Sequence, residues 1–419
     1  MPHFEITGGT PLHGSVQAAG SKNAALPIMA AAILADELIR LERVPTLTDV
    51  QTLSRVLQEL GLEVTADDGV LHIKTIDPTP VRANEKLVRR MRASFCVLGP
   101  LLARRGRAVV PLPGGCNIGN RPVDLHLKGL AALGADIRLE HGCVVASARR
   151  LTGADIDLAG PRGSTVTGTA NVMSAAVLAR GTTVLRRAAV EPEIVDLGRF
   201  LVALGAKIEG LGTPTVRIEG VGQLGGCTHR LIPDRIEAAT LLMAAAITGG
   251  SATVTDVVPE HLAAVLEMLE SSGVAVTIGP DRVSVVSHSR LRSVNITAVP
   301  YPGVPTDVQA QWTALAAVSE GTSRVEDRVF PNRFQHVAEL NRLGANIACH
   351  AGVATVTGVE RLSGARVAAC DLRASAALLL AGLAAHGRTI VEHVHHLARG
   401  YERLDAKLSW LGAKIERVN

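Results

Sequence analysis

A short phrase recurs six times along the 419-residue chain: an apolar, helix-like segment ending in Leu-Gly or Ser-Gly, then an alternating, strand-like run. The copies centre on Gly61, Gly134, Gly205, Gly273, Gly344 and Gly412. Their spacing of about 70 residues is that of a complete folding unit, larger than the usual solenoid repeats. Glycine belongs there because a helix commonly ends on a left-handed residue, a conformation that costs glycine no side-chain clash. A second marker precedes most copies: ARRGRAVV, LARGTTVL, ITGGSATV, VSEGTSRV and AAHGRTIV each join an apolar helical end to a glycine turn and a β-rich run. Each unit is therefore read as strands and helices in mixed order. The helices are too apolar for a surface, which predicts an α/β fold with helices inside, sheets outside and three units per globule. A repeat protein offering only a binding surface is the alternative; the conspicuous polar motifs argue against it, because they stand in individual copies.

Length agrees with two domains, since single cores stop growing well below this size. Apolar residues make up 47% of the chain and aromatic residues 2%, so Ala, Val, Leu and Ile must build the core. The longest apolar stretches, residues 24–35 and 374–385, are too short for a bilayer and are read as buried helices. No basic start, apolar middle and cleavage site mark a secretory signal, so a cytoplasmic location is expected. The net charge of +4 is compatible with nucleic acid or with anionic substrates. Scattered arginines, with two Trp and two Tyr, argue against stacking platforms for nucleic acid. Six cysteines show no CxxC or metal-ligand spacing; most are expected to be inert core residues, and no metal or cofactor is expected.

Polar motifs stand at the entrances to the apolar segments. In AAGSKNAALPI, Gly20-Ser21 supplies a turn and an N-cap, placing Lys22 and Asn23 where a helix start favours an anion. PLPGGCNIGNRPVDLHL, residues 111–127, sets Cys116 among glycines in an exposed loop, unlike the apolar segments where structural cysteines hide. Its thiol is a candidate proton donor or nucleophile, and Arg121 offers a planar pair of donors for phosphate or carboxylate. His126 is read as structural. The second half adds Asp307 in PYPGVPTDVQAQ, Arg333 in VFPNRF, Asp371 and Arg373 in CDLRASA, and Arg399 in HHLARGYERL. Asp307, enclosed by turn residues, is a candidate proton acceptor for a hydroxyl; any one arginine is equally a surface charge.

In order, SKNAALPI, LPGGC, RPVDLHL, EPEIVD, IPDRIEA, PTDVQAQ, DLRASA and RGYERL make the whole chain resemble the UDP-N-acetylglucosamine enolpyruvyl transferases, within the EPSP synthase superfamily. The sister enzymes acting on shikimate 3-phosphate lack the LPGGC cysteine. The resemblance implies a two-domain inside-out α/β barrel with its active site in the cleft between domains. The boundaries expected from it are 1–20 plus 233–419 for the C-terminal domain, and 21–232 for the N-terminal domain carrying the Cys116 loop. It implies transfer of the enolpyruvyl group of phosphoenolpyruvate to the 3-hydroxyl of UDP-N-acetylglucosamine, a step toward peptidoglycan, with no cofactor, metal, nucleic acid, membrane or obligate protein partner.

Carried over by position, Lys22, Arg121 and Arg399 would hold the phosphate and carboxylate of phosphoenolpyruvate, with Asn23 and Arg92 beside them. Cys116 would protonate the methylene carbon and Asp307 would take the hydroxyl proton. Asn23, Asp307 and Val329 match positions facing the amino sugar. Arg121, Pro122, Val123, Asp124 and Leu125 match those facing the uridine, with Arg92 near. Ser164, Thr165, Val166 and Gly168 match the stretch cradling the diphosphate. Arg333, Asp371 and Arg373 align with further cleft residues. Departures occur at Asn117, Asn120, Ala170 and Val190, and they keep open a second acceptor: another uridine nucleotide, such as uridine monophosphate, in specialised metabolism. A catalytically idle binding duplicate is a further class, opposed by the retained Cys116, Asp307 and basic cluster.

Overall fold

The computed structural model describes residues 2–114, 122–161 and 163–418. Among these, two compact units separate: residues 20–114 with 122–161 and 163–232, and residues 2–19 with 233–418. Each has its own apolar core.

One wiring is repeated from sheet to sheet. Asp155–Asp157 runs parallel to Thr182–Arg186, which pairs antiparallel with Thr215–Glu219, which in turn pairs antiparallel with Lys207–Glu209. Four further sheets keep that order of one parallel edge followed by antiparallel strands. In the sixth, Arg107–Pro111, Cys143–Ser147 and Asp136–Glu140, the parallel edge shrinks to a bridge between Arg82 and Val109. The strands alternate buried and exposed residues, as in Thr215–Glu219, so each sheet offers one face to its core and one to water. All six repeat glycines take the left-handed conformation read from the sequence, with φ between 82° and 106°.

Two sheets of the second unit recruit the first residues of the chain. His3–Thr7 lies between Arg388–Glu392 and Lys414–Val418, and His13–Gln17 runs beside Ser251–Thr255. In the first unit, Cys227–Arg230 returns to flank Ile39–Glu42.

The helices at the centre of each unit are apolar on all sides, which is stable only when no face meets water. All thirteen residues of Arg235–Ile247 are buried, and this helix packs on Gln309–Val318 and Leu372–Ala384, nearly as enclosed. Lys22–Ala31 and Val166–Ala176 fill the same role in the first unit, with the buried start of Leu98–Arg105 packed on Val166–Ala176. Small side chains let these helices close up: a Cβ on Gly99 would stand 2.1 Å from the Asn171 carbonyl oxygen. No helix among the described residues is long and apolar enough to cross a membrane.

Candidate active site

The polar motifs fall where the buried helices begin, since a helix start leaves backbone N–H groups that need acceptors. In the first unit Ser21 caps Lys22–Ala31, accepting from Ala24 N at 3.3 Å. Lys22, nearly enclosed, sets its ammonium 2.8 Å from the Asp49 carboxylate. Asp49 was not singled out from sequence; its signal is an acid in the first turn of the helix Thr48–Glu59. Asn23 follows Lys22 on the same helix.

Arg92, in the 3-10 turn Arg92–Val97, donates to the carbonyl of Pro122 at 3.1 Å, so Arg92 meets the 122–125 stretch. Val123 precedes the helix Asp124–Ala132, of which Asp124 and Leu125 are the first residues. His126 on that helix is buried, set edge-on against Phe95. Burial, followed by the Arg92 charge, pushes its pKa down to about 3, so the ring is neutral. Ser164 closes a two-residue strand pair with Ala159, and Thr165 caps Val166–Ala176 by accepting from Gly168 N at 3.2 Å.

The second unit gathers ions. Asp307 precedes Gln309–Val318 and accepts from Arg333 Nη1 on one oxygen and Arg373 Nη2 on the other, each at 2.8 Å. The guanidinium groups are 6% and 2% exposed, so water screens them little and the acid between them is their principal compensation. Burial works to raise the Asp307 carboxyl, but Arg373 and then Arg333 outweigh it and hold it well below the usual carboxylate range. Asp371 caps Leu372–Ala384, accepting from Arg373 N and Ala374 N. Arg373 also lies 5.1 Å over the Tyr401 ring, and the Tyr401 hydroxyl meets Gln311 and Thr240. Arg399 ends the turn Val394–Arg399 two residues before that tyrosine. Val329 is drawn toward Asp307 through Asp327, whose carboxylate takes Val329 N and Phe330 N and accepts from the Thr306 hydroxyl at 2.5 Å.

Sequence reasoning missed Asp327, Gln311, Thr240 and Asn171; the available signal was a polar residue inside an apolar segment. Cys116 and Arg121 lie outside the described residues, as do Asn117 and Asn120 among the departures. The reading of the remaining cysteines is corrected in part. Cys96 and Cys143 are buried, but Cys349 is exposed and Cys227 and Cys370 are half-buried, because their strands and turns lie at core margins. Burial pushes the Cys96 and Cys370 thiols up to about 12, Cys370 with help from Asp371, so neither is a ready nucleophile. No group of His, Cys, Asp or Glu among the described residues is placed to hold a metal ion.

This mixed α/β fold is that of the enolpyruvyl transferases. The enolpyruvyl transferase NikO from Streptomyces tendae superposes on this chain with a TM-score of 0.90 at 30% identity, covering 100% of this chain and 99% of its own. EPSP synthase from Acinetobacter baumannii shares the fold at a TM-score of 0.76 and 18% identity, with 100% of both chains covered. The family described as EPSP synthase (3-phosphoshikimate 1-carboxyvinyltransferase) matches residues 6–408, and the chain belongs to it.

Proposed function

We propose that the protein transfers the enolpyruvyl group of phosphoenolpyruvate to a hydroxyl of a uridine nucleotide, with uridine monophosphate as the preferred acceptor. The observation that carries this reading is the whole-length likeness to the enolpyruvyl transferase NikO, closer in backbone and sequence than the likeness to EPSP synthase. Two departures support an acceptor other than the amino-sugar nucleotide: Ala170 is buried where an acid is frequent, and Val190 stands where an arginine is common. The LPGGC and RPVDLHL phrases favour UDP-N-acetylglucosamine as the second reading.

In this reading each unit is an inside-out barrel, and the reaction takes place in the cytoplasm. Lys22, Arg121 and Arg399 hold the anionic donor, with Arg92 and Asn23 beside them. The acceptor oxygen attacks C2 of phosphoenolpyruvate while Cys116 gives a proton to C3 and Asp307 takes the hydroxyl proton. The tetrahedral adduct then loses its C3 proton and breaks its bond to the phosphate oxygen. Inorganic phosphate leaves and an enol ether remains. Asp307 is a weak base while both its oxygens are claimed by Arg333 and Arg373. Substrate anions that draw on those arginines raise its basicity when it is needed.

Phosphate release from phosphoenolpyruvate, assayed with uridine monophosphate, UDP-N-acetylglucosamine, shikimate 3-phosphate or no acceptor, tests this directly. Turnover led by uridine monophosphate is expected; selective turnover with UDP-N-acetylglucosamine overturns the acceptor and keeps the mechanism. Turnover with shikimate 3-phosphate alone removes the uridine assignment.

A further inference from the structure

Four arginines at one end of the first unit answer to nothing the proposed reaction needs. Gly106 and Gly181 each turn the chain from the end of a helical segment into a strand, and residues 148–153 are hydrogen-bonded to both turns. Ala148 N donates to Gly106 O at 2.9 Å, while Arg180 N donates to Leu151 O and Gly153 N to Arg180 O, both at 2.8 Å. These bonds lay Arg107, Arg149, Arg150 and Arg180 along one stretch of backbone, and all four are exposed.

The fold does not ask for them. The bond at Gly106 recurs where Gly220 N meets Gly181 O at 3.0 Å, and where Ser287 N meets Gly250 O and Gly358 N meets Gly321 O at 2.9 Å. In those copies the places of Arg149 and Arg150 are held by Val221 and Gly222, His288 and Ser289, and Val359 and Glu360. Helix ends do not account for them either. Arg105 donates to the carbonyls of Leu60 and Pro80, but among the described residues the four side chains have no hydrogen bond or ion pair. Acids on adjoining segments are already engaged: Asp36 by Arg104, Asp136 by Arg138 and Asp155 by Arg186. Exposed arginines elsewhere have such partners, as Arg328 has Glu326, Arg366 has Glu392 and Arg388 has Glu5. Like charges gathered without counter-ions repel one another, and an anionic partner relieves that repulsion.

The patch also stands away from the candidate site. Leu98–Arg105 follows directly on the Arg92–Val97 turn, Val166–Ala176 follows Ser164 and Thr165, and each helix leads to the patch at its other end. Helices of 8 and 11 residues span about 12 and about 16 Å.

We propose that this surface docks an extended segment of a partner protein rich in glutamate and aspartate. Guanidinium forks match carboxylates, and exposed turns present them to a chain lying across the surface, where a small molecule would need a concave site. Residues 104–107, 148–153 and 179–182 include no aromatic side chain on which a base would stack. The exposed acids Asp36, Asp136 and Asp155 beside the patch oppose a long phosphate backbone, whereas a short acidic segment needs only the patch.

Fluorescence anisotropy with the full chain tests this, using a labelled peptide of about twelve glutamates, the same peptide in glutamine, and a single-stranded RNA of equal charge. The glutamate peptide is expected to bind and to weaken as salt rises from about 50 to about 200 mM. The variant Arg107→Ala/Arg149→Ala/Arg150→Ala should bind it about tenfold more weakly, with an unchanged urea midpoint. Removing three exposed arginines of the second unit, in Arg324→Ala/Arg328→Ala/Arg342→Ala, should leave affinity within about twofold. No binding of the glutamate peptide, equal binding of the glutamine peptide, or equal losses in the two variants overturns the proposal. A lowered urea midpoint in the first variant makes its arginines structural, and tighter binding of the RNA replaces the partner class; either outcome overturns it too. Binding is read without turnover, so the result stands apart from the proposed reaction.

Discussion

At the head of Val166–Ala176 the linked polar groups are neutral, a buried amide and imidazole and the half-exposed Thr167 hydroxyl; at the heads of Gln309–Val318 and Leu372–Ala384 they are ions, one carboxylate between two guanidinium groups. The surrounding sheets repeat one wiring, so the difference lies in a handful of side chains and not in the backbone. A neutral chain is satisfied by geometry alone and carries no charge to balance. An ion cluster is satisfied only while its charges cancel, and a bound anion changes that sum. The first arrangement suits recognition and the second suits chemistry.

The sharpest way to break the comparison is Asp307→Ala. It removes the proposed base, for which a loss of about 10² to 10⁴ in kcat is expected, and strands two guanidinium groups at about 3–5 kcal/mol of stability. Phosphate-release kinetics and urea denaturation measure the two effects. Activity within a few-fold of wild type would show that Asp307 serves only as an ion partner.

Titration sharpens the contrast. His126 has a folded pKa of about 3 and His336 one of about 4, in both cases chiefly because burial disfavours the charged ring. The unfolded chain, with ordinary histidines near 6.5, therefore binds more protons below that value. Stability is full above about pH 6.5 and falls as the pH drops toward about 4 and then about 3. The urea midpoint should be lower at pH 5 than at pH 7, and His126→Gln should flatten that slope. Asp307 acts in a lower window: its contribution is present above the unfolded carboxylate pKa and is lost as pH falls further toward its depressed folded value. An unchanged midpoint between pH 7 and pH 5 would mean that the rings are not kept neutral.

The smallest effects belong to the caps. Thr165→Ala and Asp371→Ala each remove a side-chain acceptor from a helix start, at about 1 kcal/mol, read as a modest drop in Tm. The Asp371 variant should be the more costly, because a charged carboxylate there takes two backbone N–H groups at a helix N-terminus where the Thr165 hydroxyl takes one. Equal losses would remove charge from the account of that cap.

The six-part wiring was legible because it depends on local chemistry: a glycine that must be left-handed, an apolar helix before it and an alternating strand after it. Ser21 as a cap and His126 as a structural residue were legible for the same reason. The partners were not. Asn171 meets Phe95 across 76 residues of chain, and Arg373 meets Asp307 across 66, and no pattern within either segment names the other. Asn171 in TANVM, and Gln309 and Gln311 in VQAQW, look like blemishes in apolar helices until the fold brings their partners alongside.

The position of His3–Thr7 between Arg388–Glu392 and Lys414–Val418 bears on synthesis at the ribosome. Residues 20–232 emerge with everything their sheets require and can close while the remainder is still being made. His3–Thr7 must wait, unpaired, until Arg388–Glu392 and Lys414–Val418 have been made. The second unit therefore gains that sheet in a late step that joins segments 383 residues apart.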